Sequence, residues 1–335
     1  ALSGGLDSSA IAAFARECGT DLRGVTYGDP SEPESEGPMV ALLARRYGLR
    51  VDFAPTRAET IAGAFRATVE AQDAPFASGS IIAQYLVFGL ARDAGLKVLL
   101  GGQGSDEAFM GYRLFHTLYV RQLVAGGHPF RALRHLVGWL PSLSGGQFRA
   151  MLSQRLRAFQ GRRVLTALPG LPAPARLDLG LGGGPLWHRA LLDVTRFSLP
   201  TLLRYEDRNS MAHSVESRHP FMDHRLIEQG LSLTDAQRLA HGRGKWILRV
   251  GLKGRIPEEI RMSRQKFGFP ANQGAAVAAG LGRVIREALA EVRPVATALL
   301  GAGVPIEARF RDDRLATEPA RMAEAVTLYW LGLRG

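Results

Sequence analysis

The sequence predicts an α/β protein: a parallel sheet flanked by helices, followed by a largely helical C-terminal part. Three observations predict it. Over the first third, short apolar runs alternate with stretches long enough for helices, the pattern of strands joined by helical crossovers. Two of these runs end in glycine turns, Ser3-Gly4-Gly5 and Gly101-Gly102-Gln103-Gly104. Beyond about Tyr112 the strand signal fades and helical periodicity takes over. The division falls near residue 120, with residues 1–120 as the α/β core and 121–335 as a helical part completing the same domain.

Ala1 and Leu2 read as the end of a buried strand, and Asp7, Ser8 and Ser9 open a helix continuing through Ala10–Cys18. Leu22–Tyr27 is the next strand, closed by the turn signal Gly28-Asp29-Pro30. Met39–Tyr47 has helical periodicity, Leu49–Ala54 alternates as a strand, Ile81–Ala94 is an amphipathic helix, and Lys97–Leu100 is a further strand. Ligands bind at the carboxyl ends of such strands, so the turns after Leu2 and Leu100 are expected to face one pocket. Helices are then expected over Leu114–Val124, Phe130–Leu140 and Phe148–Phe159, and with breaks from Trp187 to Ser232. More follow near Trp246–Leu252, Ala275–Leu289 and Leu315–Leu333, while Leu168–Pro185 is a Pro/Gly-rich connection.

At 335 residues the chain can bury a large core, and 46% apolar with 22% charged residues is ordinary for a globular protein. No uncharged apolar run reaches the roughly eighteen residues of a membrane span. The chain opens inside a motif without an initiator Met, as expected of a piece of a longer protein. The single cysteine, Cys18, excludes an internal disulfide and fits a cytoplasmic home; with Ile11 and Phe14 it falls on one helical face, which reads as core packing. The net charge of +11 raises nucleic acid as a partner. Its local sources are Arg155, Arg157, Arg162 and Arg163, and Arg131 and Arg134 with His128 and His135. Solvated helical faces explain such clusters more simply, so nucleic acid is not the expected partner.

Ser3, Gly4 and Gly5 followed by a helix opening at Asp7, Ser8 and Ser9 present backbone N–H groups and a helix N-terminus to one point, an arrangement suited to phosphate. Asp7 is out of place beside a phosphate unless a cation lies between them, which argues for Mg²⁺. In the second turn, Asp106 can join Asp7 on that ion, or Asp106 and Glu107 can simply cap a helix. A third block, Arg204 to Asp223, carries Glu216 and Arg218, which fit either a substrate pocket or a structural ion pair. Its histidines, with His224, match no common zinc spacing. In a fourth, Arg264-Gln265-Lys266-Phe267-Gly268-Phe269-Pro270, Lys266 can direct an ammonium into a cleft.

The first motif resembles the Ser-Gly-Gly-x-Asp-Ser pyrophosphate loop of ATP pyrophosphatases, and the four blocks in this order resemble the synthetase domain of the asparagine synthetase family over nearly the whole chain. The resemblance implies an adenine nucleotide alpha hydrolase-like sheet. It also implies an ATP-dependent amide synthesis in which a carboxylate is activated as its adenylate, pyrophosphate and AMP being released. By resemblance, Ser3, Gly4, Gly5, Asp7, Ser8 and Ser9 would hold pyrophosphate, with Asp7 and Asp106 on Mg²⁺. Ala1, Val25, Gly101 and Gly102 would line the ATP site through backbone, and Lys266 would stabilise the adenylation transition state. Family members carry glutamate where this chain has Gln103, and an amide cannot act as a base. Gln103 can still orient a nucleophile, with Glu107 the candidate base. His219 replaces an apolar residue. These departures bear on aspartate as substrate, leaving another small-molecule or peptide carboxylate open. Ammonia would come from a glutaminase domain of the parent chain, and homodimerisation stays open. Two alternatives share parts of the pattern: an intramolecular amide-forming ligase of the β-lactam synthetase or lasso-peptide cyclase type, and a tRNA-modifying pyrophosphate-loop enzyme.

Overall fold

Two pairs of parallel strands frame the molecule. Strand β1 (Arg23–Tyr27) pairs with β2 (Arg50–Ala54), Val25 opposite Asp52. Strand β3 (Val98–Leu100) pairs with β4 (Glu216–Arg218), Leu99 opposite Ser217. Ala1 and Leu2 join the two pairs. The Ala1 amino group donates to the Leu100 carbonyl at 2.8 Å, and the Leu2 N–H donates to the Val25 carbonyl at 2.9 Å. Gly24 permits this close approach, because a Cβ there would lie 2.5 Å from Leu2 Cδ1. The spatial order is β2, β1, Ala1–Leu2, β3, β4. Winding therefore reverses between Ala1–Leu2 and β3, and a crevice opens at that switch point in parallel α/β sheets. The computed structural model describes residues 1–31, 35–54, 58–76, 78–142, 184–264, 277–301 and 303–334.

The helices of the first part are α1 (Leu6–Glu17), α2 (Gly37–Tyr47), α3 (Ala58–Ala71) and α4 (Ser80–Asp93). Helix α2 begins with Pro38 and stops at Gly48 in a left-handed conformation, φ 62°. After β3 come α5 (Ser105–Ala108), α6 (Arg113–Ala125), α7 (Pro129–Trp139), α8 (Leu186–Leu192) and α9 (Leu199–Ala212). The expected C-terminal helix is broken in two, Asp312–Thr317 and Pro319–Gly332, with Pro319 starting the second. The expected helix Phe148–Phe159, most of the connection Leu168–Pro185, the Arg155–Arg163 cluster and Lys266 lie outside the described residues.

Both faces of the sheet are covered. On one, Phe65 of α3 and Phe88 of α4 pack with Leu281, Ile285, Val326 and Tyr329 from the C-terminal helices. On the other, Leu6 and Ala13 of α1 and Leu43 of α2 pack with Phe109, Leu252 and Ile260. Residues beyond 120 thus complete the core begun before it and supply β4. That strand went unforeseen because Glu-Ser-Arg has no apolar alternation. Cys18 is also corrected: it is exposed at the end of α1, and Phe14 is exposed too. Helix α1 buries its small residues, Ala10, Ala12 and Ala13, so periodicity read from the larger side chains chose the wrong face. Among the described residues, no helix is long and apolar enough to cross a membrane.

Candidate active site

The turn leaving Leu2 needs glycine at position 4. Its φ is +62°, and a Cβ there would lie 2.7 Å from Met39 Cβ. Ser8 braces the turn from inside: its Oγ accepts from the Ser3 N–H at 3.1 Å and lies 3.1 Å from Ser3 Oγ. Ser9 is fully buried behind the loop. Ser3, Gly5 and Asp7 remain to face a cleft. The second turn closes against the first, since a Cβ on Gly102 would lie 3.0 Å from Asp7 Cβ. Both glycine turns thus border one site, as the strand-end rule predicts.

Asp7 and Asp106 converge on a residue that sequence reasoning missed. Lys245 Nζ lies 2.6 Å from Asp7 Oδ2 and 2.9 Å from Asp106 Oδ1. Ser105 Oγ donates to the other Asp7 oxygen at 2.8 Å. Lys245 holds a left-handed φ of 54°, and its N–H donates to the Phe109 carbonyl at 3.1 Å. Gly111 leaves room for the contact, because a Cβ there would strike the Asp106 carboxylate and Lys245 Cε. Burial opposes the ammonium charge, but Asp106 and Asp7 outweigh it, so the Lys245 pKa stands above the ordinary lysine value. A signal was present in Gly242-Arg243-Gly244-Lys245, a basic glycine-rich turn entering the helix Trp246–Gly251.

Arg113, Arg243, Arg249 and Arg264 line the rest of the cleft, with His116 and Trp139. The Arg249 guanidinium is pinned by the carbonyls of Gly244, Arg261 and Ser263, and burial lowers its pKa to about 10. Among the described residues, Arg243 Nε is buried without a hydrogen-bond partner, a donor left over in a cationic cleft. His116 Nδ1 lies 2.9 Å from His135 Nε2, and burial lowers their pKa values to about 3 and about 4. This wall is therefore neutral at ordinary pH.

The donor set fits the groups that the resemblance implies. Two carboxylates from separate loops, close enough to share one cation, suit Mg²⁺ when a nucleotide supplies phosphate oxygens. The arginines and the orphaned Arg243 donor suit the phosphates themselves. A family model described as asparagine synthase matches residues 1–321. The chain belongs to the asparagine synthase family. It is 28% identical over 295 residues to a Mycobacterium tuberculosis protein provisionally described as a glutamine-hydrolysing asparagine synthetase, covering 80% of this chain and 44% of that protein. It is 28% identical over 286 residues to asparagine synthetase 3 of Bacillus subtilis, also glutamine-hydrolysing, covering 80% and 44%. Against asparagine synthetase 1 of that organism the identity is 24% over 291 residues, covering 80% and 45%. The chain thus spans about half the length of the curated relatives it matches.

Other positions expected from the family pattern fall in different places. Val25 lies within β1, fully buried, and its carbonyl accepts from the Leu2 N–H. Ala1 is likewise engaged with Leu100. Glu107 is buried beneath the cleft, where Tyr112 Oη and Ser198 Oγ donate to its Oε1 at 2.5 and 2.7 Å. Burial raises its pKa, those two bonds working against the rise. It ties α5 to the start of α9 and does not line the cleft. Glu216 and Arg218 pair with each other at 2.8 Å on exposed β4 and do not line the cleft either. Gln103 turns away from the two aspartates, and its Nε2 donates to Glu206 at 3.0 Å. Among the described residues, no three His, Cys, Asp or Glu side chains cluster as metal ligands.

Proposed function

We propose that this chain is the synthetase part of an ATP-dependent carbon–nitrogen ligase, which activates a carboxylate as its acyl-adenylate and then forms an amide, releasing pyrophosphate and AMP. The observation that carries the reading is the convergence of Asp7 and Asp106 on one cation-sized position, ringed by arginines at the sheet's switch point. Asp7 and Asp106 would hold Mg²⁺, which when bound offsets phosphate charge. Ser3, Gly5 and the N-terminus of α1 offer N–H groups to the departing pyrophosphate. Arg243, Arg249 and Arg264 offset the charge that builds on it. Gly101 and Gly102 let the nucleotide approach the strand end, and Lys266 would, by the family pattern, add a cation at the α-phosphate.

The substrate is a small-molecule or peptide carboxylate. The nitrogen is ammonia, supplied by a glutaminase as the names of the relatives suggest, and the chemistry suits the cytoplasm. The test is exchange of radiolabelled pyrophosphate into ATP with Mg²⁺ and a panel of aspartate, glutamate, other amino acids and short peptides. Exchange should depend on one of these acids and vanish in Asp7→Ala. ATP-binding protein that exchanges with none of them would remove the adenylation reading.

A further inference from the structure

Glu206 of α9 is 5% exposed and lies against the turn that carries Gln103. Among the described residues, the hydrogen bonds to its carboxylate come from uncharged donors, while His219 Nε2 stands 3.7 Å from Oε1 and the Ala1 amino group lies near enough to feel its charge. Gln103 Nε2 and Gln84 Nε2 reach Oε2 at 3.0 and 3.3 Å, and Ser217 Oγ reaches Oε1 at 2.7 Å. The donors are set in order behind it. Gln72 donates to Asn209 Oδ1 at 2.9 Å and Asn209 donates to Gln84 Oε1 at 3.1 Å, which turns the Gln84 NH₂ toward Glu206. A carboxylate offers about four lone-pair positions, so this shell leaves room for one more N–H.

The carboxylate also reaches the nucleotide loop. A Cβ on Gly101 would lie 2.8 Å from Glu206 Oε1 and 2.8 Å from His219 Nδ1, so both atoms press on the bare face of that glycine. Ser217 gives its proton to Glu206, so the 3.3 Å contact with His219 Nε2 needs the proton on that nitrogen. His219 Nδ1 is then a bare acceptor, and it is buried without a partner among the described residues. Beside Gly101 there are thus two acceptors and a shortage of N–H donors. Next to them, Ser78, Ser80, Gln84, Gln103, Leu202 and Tyr205 line a hollow of about 300 Å³ to which, among the described residues, no cationic side chain contributes. Such a wall suits an ammonium or amine and gives a carboxylate nothing to pair with.

We propose that Glu206 is the proton acceptor for the attacking nitrogen, the task that the Gln103 amide cannot perform; this rests on the acyl-adenylate reading above. The nitrogen takes the lone-pair position that this shell leaves open, beside the Gln103 contact at Oε2. Its lone pair forms the C–N bond, and the acyl C–O bond to the phosphate breaks, AMP leaving with the electron pair. The nitrogen's proton passes to Glu206. Gln103 is a positioning residue, holding the carboxylate aimed at the loop, and His219 Nδ1 accepts a second N–H of the nucleophile.

The test separates the two half-reactions in the parent chain, in Glu206→Gln, and in the exchange variant Gln103→Glu with Glu206→Gln. The acid is aspartate, or whichever panel acid the parent exchanges fastest, and the nitrogen probes are ammonium chloride and hydroxylamine. Glu206→Gln should keep acid-dependent pyrophosphate exchange within about threefold while amide formation from ammonium falls about 10²- to 10⁴-fold. Hydroxylamine, largely unprotonated at neutral pH, should lose less. The exchange variant returns one carboxylate to the same contact and should regain at least about tenfold of the loss. It also decides the matter if Glu206→Gln does not fold. Amide formation from ammonium at the parental rate in Glu206→Gln, equal loss of both half-reactions, or no rescue in the exchange variant would overturn the assignment. A parent chain without acid-dependent exchange would instead count against the adenylation reading.

Discussion

On one side of the Gly101–Gly104 turn, Asp7 and Asp106 share the buried ammonium of Lys245; on the other, Glu206 is surrounded by the neutral donors of Gln84, Gln103 and Ser217. The contact lengths are alike, so distance does not separate the two. The charge of the donors does. Asp7 and Asp106 converge on a single cation-sized position, which a divalent ion could take up when phosphates answer the surrounding arginines. Glu206 takes its hydrogen bonds from amide and hydroxyl donors, with His219 Nε2 3.7 Å from Oε1, the setting in which we place the acceptor of the nucleophile's proton. One turn, five residues of backbone from Leu100 to Gly104, therefore separates the proposed cation site from the proposed proton acceptor.

The strongest way to break this contrast is Lys245→Met. Removing one partner of a buried ion pair leaves uncompensated charge, so stability should fall by about 3–5 kcal/mol, and acid-dependent pyrophosphate exchange by at least about 10²-fold. Because the ammonium and Mg²⁺ would answer to the same carboxylates, MgCl₂ should raise the melting temperature of Lys245→Met more than that of the parent. Thermal denaturation with and without MgCl₂ reads this directly, and an equal rise in both proteins would show that the lysine and the ion do not share the site.

The two sides of the turn were not equally legible in the sequence. The loop Ser3–Ser9 and the block 101–112 stand out locally, because glycines, a following helix and carboxylates within a few residues form the pattern expected of an anion and cation site. Strands β1 to β3 and helices α1, α2, α4, α6 and α7 were legible from periodicity for the same reason. Lys245 was not, since it meets Asp7 across 238 residues of chain and owes its place to a left-handed backbone and to the missing side chain of Gly111. Glu206 stood within a block already singled out, yet nothing local distinguishes it from its neighbour Asp207, which points to solvent. Only the packing of α9 against α4 and the Gly101 turn does so. Helix α3 escaped notice, and β4 is a strand because β3 offers it an edge, not because its own residues prefer one.

Glu36 sharpens the contrast by having neither kind of support. It is fully buried beside Gly4, and among the described residues neither of its carboxyl oxygens has a hydrogen-bond partner. Burial alone pushes its pKa up to about 8. A carboxyl whose folded pKa is raised stabilises most below its unfolded pKa of about 4.5, and that contribution is lost as pH rises toward about 8. Glu36→Gln, which keeps the shape and cannot ionise, should therefore gain on the order of 2–3 kcal/mol near pH 7 and almost nothing near pH 4.5. Urea unfolding at both pH values checks it; equal effects at the two would mean that Glu36 is charged in the folded protein.

Arg218→Ala supplies the weakest effect and isolates burial as the variable. Arg218 Nε lies 2.8 Å from Glu216 Oε1, about the length of the Lys245–Asp106 contact, with the guanidinium drawn slightly more basic by that carboxylate. Both partners stand in solvent on β4, where water and salt already screen each charge and the arginine must be ordered to meet the glutamate. Losing the pair should leave the melting temperature within the scatter of the parent at physiological salt, and pyrophosphate exchange unchanged. Melting curves at low and high NaCl are the check. A clear drop that persists at high salt would mean that Arg218 supports the edge of the sheet through its packed stem, and that length and exposure alone do not rank these ion pairs.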